Sequence, residues 1–282
     1  MLLATSPIVD RLEDYLASPR QDALPSEREL RTKAIAALRK GLYMEALACF
    51  ITLGKLKDIE GAGYLSKLGM ALIWRRQQEY SKALEVLNEA LGLGDDRFVL
   101  LDIGLTLHHM ERFEEALAVL DKVKDKWPND PDVWVYRMPP LLSQGKGQAA
   151  LDSAEQAFPL RHKSSDNGQT LFVSAALTSV AFGLSALKRS SIEDLAVATK
   201  AFIKWRARAR RNKQLAAFKQ AVEECTKPLP DEERLIFDDF MLSVKLGSIK
   251  DPFDRWDAIA EEINKVWPKD LDAVEAIRRQ RR

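Results

Sequence analysis

Four short stretches of this chain repeat one pattern at a nearly constant distance, and that spacing constrains the fold more than any other feature. They read Gly41-Leu42-Tyr43-Met44-Glu45-Ala46-Leu47, Glu79-Tyr80-Ser81-Lys82-Ala83-Leu84, Glu111-Arg112-Phe113-Glu114-Glu115-Ala116-Leu117 and Gly145-Lys146-Gly147-Gln148-Ala149-Ala150-Leu151. The aligned alanines Ala46, Ala83, Ala116 and Ala150 stand 37, 33 and 34 residues apart. A second small or apolar residue precedes each at a fixed distance: Ala34, Ala71, Gly104 and Met138. Between the two lies a polar turn, and on either side apolar residues recur at three- and four-residue steps. Each unit is therefore expected to be a pair of antiparallel helices. Small residues are needed where the two cross, because a bulky side chain would hold the backbones apart. A larger core residue follows one turn later as Phe50, Leu87 or Leu120, and Ala90 and Ala157 supply small contacts to the next unit. A period of this length implies a stacked array.

The pattern resembles the tetratricopeptide repeat family. Tyr43, Tyr80 and Phe113 match its aromatic near the turn, Pro128 its closing proline and Trp134 the tryptophan that opens a first helix. The third unit matches most closely. The fourth departs, with Met138 in place of a small residue, Ala154 in place of a large one, and Pro139-Pro140 inside its first helix, which should be kinked or broken there. The first departs at Leu53 and has a longer exit through Gly61 and Gly63. The resemblance covers residues 27–163. It implies an all-α chain, a right-handed helical-hairpin solenoid of about four repeats, with a C-terminal helical bundle or cap over 164–282 packed on the array.

Residues 1–26 hold an amphipathic piece, Ile8 to Leu16, and a linker bounded by Pro19 and Pro25. Ser164 to Gly168 is a polar boundary. Leu171 to Leu187 carries no charge, so it reads either as a helix buried on most sides or as a membrane span; the buried helix is preferred. Ser191 caps the next helix, with Asp194 three residues on. That helix is expected to run to about Cys225, since neither Gly nor Pro interrupts it, with Leu195, Ala198, Phe202, Trp205 and Ala209 on one face. A further helix runs from Asp231 to near Gly247. Asp251 caps another, bearing Phe253, Trp256, Ile259, Ile263 and Trp267, and the chain ends in Arg278-Arg279-Gln280-Arg281-Arg282.

Charge and cysteine usage narrow the function. Lysine and arginine number 43 against 42 acids, so overall charge does not mark a nucleic-acid binder. Two isolated cysteines, Cys49 and Cys225, make neither a disulfide framework nor a zinc site, and a reducing, cytoplasmic setting is expected. His108 and His109 are adjacent and point in different directions on a helix, so they cannot clasp one metal. Gly145-Lys146-Gly147 lacks the spacing of a phosphate loop. No catalytic set, metal or cofactor is expected.

The resemblance implies that the first helix of each pair lines a concave groove. Carried onto this chain, that face comprises Arg28, Arg31, Ile35 and Arg39 in the first repeat and Leu65, Leu68, Leu72, Arg75 and Arg76 in the second. The third contributes Phe98, Leu101, Asp102, Leu105, His108 and His109, and the fourth Tyr136. Family members that grip chaperone carboxylates use asparagines there, where Ile35, Leu72 and Leu105 stand in this chain. An apolar groove with a basic edge suits a partner's helix or peptide, unless the chain's own terminal helices fill it. The expected function is a non-catalytic adaptor or scaffold. The alternative is a nucleic-acid-associated or antitoxin-like regulator. It would use the basic residues Lys204, Arg206, Arg208, Arg210, Arg211 and Lys213 with the arginine tail, whose last residues look like those of some small bacterial antitoxins. For the basic run, a solvated face around the Trp205 and Ala209 seam is the plainer reading.

Overall fold

The computed structural model describes Leu16 and residues 25–56, 61–94, 96–164, 166 and 168–248. The expected helix at 8–15, the helix after Asp251 and the arginine tail lie outside these. Among the described residues the chain is all helix. Eight helices form the repeats: α1 (Pro25–Arg39), α2 (Tyr43–Gly54), α3 (Ala62–Arg76), α4 (Tyr80–Ala90), α5 (Asp96–His109), α6 (Phe113–Lys126), α7 (Pro131–Ser143) and α8 (Gly147–Ala157). A 3-10 turn (Phe158–Lys163) leads to α9 (Gln169–Lys188), α10 (Ile192–Arg211), α11 (Leu215–Thr226) and α12 (Asp231–Ser248). The chain divides into two compact units, Met1–Ser174 and Ala175–Arg282, and the division falls within α9.

One backbone device closes the first helix of every repeat. The residue at the start of each turn takes a left-handed conformation: Gly41 (φ 73), Gln78 (φ 63), Glu111 (φ 59) and Gly145 (φ 73). The next N–H then reaches back over the helix end. Leu42 donates to the Ala37 carbonyl at 2.9 Å, Glu79 to Trp74 at 2.8 Å, Arg112 to Leu107 at 2.9 Å and Lys146 to Leu141 at 2.9 Å. These bonds satisfy carbonyls that a helix end leaves open. Two of the four positions are glycine, which takes this conformation without steric cost.

The turn delivers the second helix onto the first at the small residues. Ala34, Ala46, Ala71, Ala83, Ala116 and Ala150 are wholly buried, as are Leu87 and Leu120. At Gly104 the need is explicit, because a Cβ would lie 2.7 Å from Leu120 Cγ. Each first helix packs on its own second helix, and each second helix on the next first one, so the pairs stack in sequence.

The fourth repeat is anchored by its entry loop. Asp130 Oδ1 accepts from the Asp132 N–H at 2.9 Å with Pro131 in the first turn, and Trp134 Nε1 donates to the Pro128 carbonyl at 3.2 Å. The expected break at Pro139-Pro140 does not occur; α7 runs through both prolines to Ser143. The fixed φ of proline is already helical, and the adjacent pair removes only two intrahelical N–H donors.

In the second unit the expectation of one helix reaching Cys225 is corrected. α10 stops at Arg211, and Lys213 (φ 60) takes the left-handed position while Gln214 donates to the Ala209 carbonyl at 2.8 Å. This is the closure used in the repeats, repeated also at Ser190 (φ 54) between α9 and α10. Ser191 caps α10 as expected, its hydroxyl accepting from the Asp194 N–H at 3.3 Å. Phe202 meets Phe218 and Phe240 edge-on at 5.2 and 5.8 Å between ring centres. Gly183 makes room for this cluster, since a Cβ there would lie 2.2 Å from Phe240 Cε2. α9 is long and apolar enough to cross a membrane, yet 83% of its most apolar stretch is buried, as befits a core helix.

Overpacking a crossing should destabilise its pair. Ala83→Leu and Ala116→Leu are each expected to lose about 1–3 kcal/mol of stability in denaturant melts. Two unchanged melts would refute the crossing register.

Candidate interaction face

Most of the residues expected to line a groove on the first helices are interior. Arg31, Ile35, Leu65, Leu68, Leu72, Arg75, Leu101, Asp102, Leu105, His108 and Tyr136 are buried. Arg28 and Arg39 are exposed, and Arg76, Phe98 and His109 half-buried. Leu72 and Arg75, expected on the groove face, are both interior.

At the first repeat the cover is visible. Leu16, from the N-terminal amphipathic piece, is 1% exposed and shares a core with Ile35, Leu65, Leu68 and Leu72. Arg31 donates to the Leu16 carbonyl from Nε at 3.1 Å and from Nη2 at 2.9 Å, while its Nη1 meets Glu27 at 3.3 Å. On the same helix Thr32, Lys33 and Ala36 remain exposed, so it is the Glu27–Arg31–Ile35 side that is covered. A guanidinium gripping a main-chain carbonyl beside a buried leucine is how such a face would hold any chain segment.

Repeats two and three are joined by Arg75 and Asp102, a buried ion pair between α3 and α5. Two charges out of water are tolerable only together, since either alone would keep its desolvation penalty. Both residues stand out in the sequence as groove candidates, but their pairing does not. The signal is an acid inside the apolar run Phe98 to Leu107, at a position the helix turns inward; such a group requires a cation from a neighbour.

The two histidines lie where these repeats meet. His109 stacks on Tyr80, with ring centres 5.3 Å apart, and His108 packs against Phe113 at 5.5 Å. Tyr80 therefore packs on the end of the next repeat's first helix, and Phe113 on the end of its own. His108 is not a solvent-exposed contact residue. Burial and, next, the neighbouring His109 push its pKa down to about 4, and its Nδ1 has no hydrogen-bond partner among the described residues. No group of three His, Cys, Asp or Glu suited to a metal occurs among the described residues.

The basic run lies on α10 and its closing turn. Lys204, Arg206, Arg210, Arg211 and Lys213 are exposed, and Trp205 and Ala209 are buried beneath them as expected. Arg208 is half-buried, its guanidinium 4.8 Å above the Trp205 ring, so it is less solvated than its charge suggests.

No family model and no curated protein matches this chain. Among solved structures it is similar to MamA 41-end from Desulfovibrio magneticus RS-1, at 17% identity and a TM-score of 0.45 over 67% of this chain and 97% of that one. The MamA RS-1 ArsTM double mutant gives 18% and 0.45 over 67% and 97%. MamA MSR-1 C2 gives 19% and 0.43 over 64% and 96%. The array is tetratricopeptide-like. What makes it so is its own geometry: four helix pairs, one turn closure and buried small-residue crossings.

Two expectations follow from the buried polar groups. Arg75→Met should strand the Asp102 carboxylate and lower stability by about 3–5 kcal/mol, with the Arg75→Met/Asp102→Leu double variant recovering most of it. Equal loss in both variants would show the pair to be unimportant. His108 is held neutral in the folded chain but protonates below about pH 6.5 when unfolded. Its contribution is therefore present above pH 6.5 and lost as pH falls toward 4, by roughly 3 kcal/mol. Melts of wild type and His108→Leu between pH 7 and 4.5 should diverge as the pH drops, the wild type falling further.

Proposed function

We propose that this chain is a non-catalytic interaction scaffold that holds a helix or peptide of another protein against the first-helix face of its repeats. The observation that supports it is the contact at Leu16: two guanidinium bonds to a main-chain carbonyl, with the leucine side chain buried beside them. A partner segment presenting the same chemistry, an apolar side chain flanked by free carbonyls or carboxylates, would be held in the same manner. On this reading Leu68, Leu72, Leu101 and Leu105 are the wall beneath the face. Arg39, Arg76 and His109, which keep some exposure, are the groups a partner meets. Both cysteines are free thiols, in keeping with work in a reducing, cytoplasmic setting.

The test is affinity capture with mass spectrometry, comparing wild type with Arg39→Glu/Arg76→Glu. Reversing two rim charges should weaken the specific partner by on the order of tenfold while leaving the melt nearly unchanged. Recovery of the same proteins in the same amounts would remove the repeat face from consideration.

A further inference from the structure

In the second unit α10 and α12 pack together: Thr199 shares a hydrogen bond with Ser243, Gly247 lies close to Thr199 and Ile203, and Phe202 meets Phe240 edge-on. Beside these contacts opens a recess of about 400 Å³, lined by Ile192, Leu195, Thr199, Ile203, Ser243 and Gly247 among others. Its two hydroxyls are already satisfied. Thr199 and Ser243 share a hydrogen bond of 2.9 Å, and Ser243 donates to the Phe240 carbonyl at 2.7 Å. Gly247 presents no side chain to fill the space; a Cβ would come within 3.1 Å of Thr199 and 3.2 Å of Ile203. Ile192, at the mouth, is 83% exposed. A recess so lined favours an apolar occupant.

The same face of α10 continues into cations. Arg206 and Arg210 follow Thr199 and Ile203 at helical spacing, and Lys200 stands at the rim. Lys200, Arg206, Arg210, Arg211 and Lys213 form no ion pair among the described residues. The helix dipole accounts for Arg210 and Arg211 near the C-terminus, but not for Lys200 or Arg206 in mid-helix. Like charges at Arg206 and Arg210 repel unless an anion answers them.

We propose that this surface docks an amphipathic helix of a partner protein, its apolar face seated on Ile192, Leu195 and Ile203 and its carboxylates over Arg206 and Arg210. Nucleic acid fits less well: an apolar recess offers nothing to phosphates, and Trp205, the aromatic within the basic run, is 1% exposed and cannot stack on bases. This surface is separate from the repeat face, so either reading can fail without the other.

The test titrates the full-length chain by fluorescence anisotropy with three probes. One is a synthetic helix of about five turns with leucines at i, i+3, i+4 and i+7 and glutamates clustered at one end. The others are a scrambled peptide of the same composition and a short duplex DNA. The patterned peptide should bind about tenfold or more tightly than the scrambled one, because cations alone would not distinguish them. Ile192→Asp and Arg206→Glu/Arg210→Glu should each weaken it about tenfold, with melts matching wild type since all three side chains are exposed. Equal binding of the scrambled peptide overturns the proposal, as does no binding by either peptide. Tighter binding of the DNA, falling steeply with salt, would assign the cations to a phosphate backbone instead.

Discussion

The repeats depend on how closely two helices can cross. At Ala34 with Ala46 and at Ala71 with Ala83 both side chains end at Cβ and are fully buried, so the backbones approach as near as methyl groups allow; only in the fourth pair does a larger residue, Met138, stand opposite Ala150. Gly104 takes this further by giving up even the Cβ, and Leu120 fills the space. Close crossing alone would not fix which faces meet. The left-handed residue five positions before each alanine does that, by stopping the first helix at one point and aiming the second back along it. Once pair geometry repeats, stacking follows, because each second helix presents the same apolar ridge to the next first helix.

Within that frame, ion pairs join successive repeats. Arg97 pairs with Asp130 and Arg137 with Asp121, each tying one repeat to the next across a loop or a helix pair. Arg75 and Asp102 do so from inside. A buried pair adds little net stability compared with apolar residues of similar size, but it penalises every arrangement in which the two charges fail to meet. A stack of similar apolar ridges could otherwise slide, and the ion pair opposes that slippage at the joint between repeats two and three. The neutral, unpartnered His108 adjoins the same joint through Phe113 and His109, so protonation would act where neighbouring repeats meet.

What the sequence made legible is what recurs in it. The alanine spacing and the turn aromatics mark the helix pairs because each pair solves one packing problem with one residue pattern. The Ser191 cap was equally plain, since its chemistry is local. The end of α10 was less plain, because neither Gly nor Pro marks it and its local signal is only Asn212 after an arginine-rich last turn; Asn212 Nδ2 donates to the Arg208 carbonyl at 2.8 Å and Lys213 takes a left-handed backbone. The burial of Leu72 and Arg75 was not plain. A helix pattern reveals that a residue faces inward along the array, but whether another segment covers it is decided by contacts far apart in sequence, such as Leu16 with Arg31.

That last contact bears on where a partner can bind. A face lined by Ile35, Leu68 and Leu72 would be costly to leave in water, and in this chain it is not left there. Any partner using it must displace or extend what already lies against it, and the Arg31 bonds to Leu16 set part of that competition. The recess between α10 and α12 has the opposite character. The helices that line it are joined by the Phe202–Phe240 contact, an isoleucine beside it stands in water, and its cations lack partners among the described residues. A preformed surface of this kind loses little order on binding, so its affinity depends mainly on how well the occupant's apolar face and carboxylates match it. The two faces therefore differ in kind: Leu16 already lies against the apolar wall of the first, while the second carries Ile192 in water.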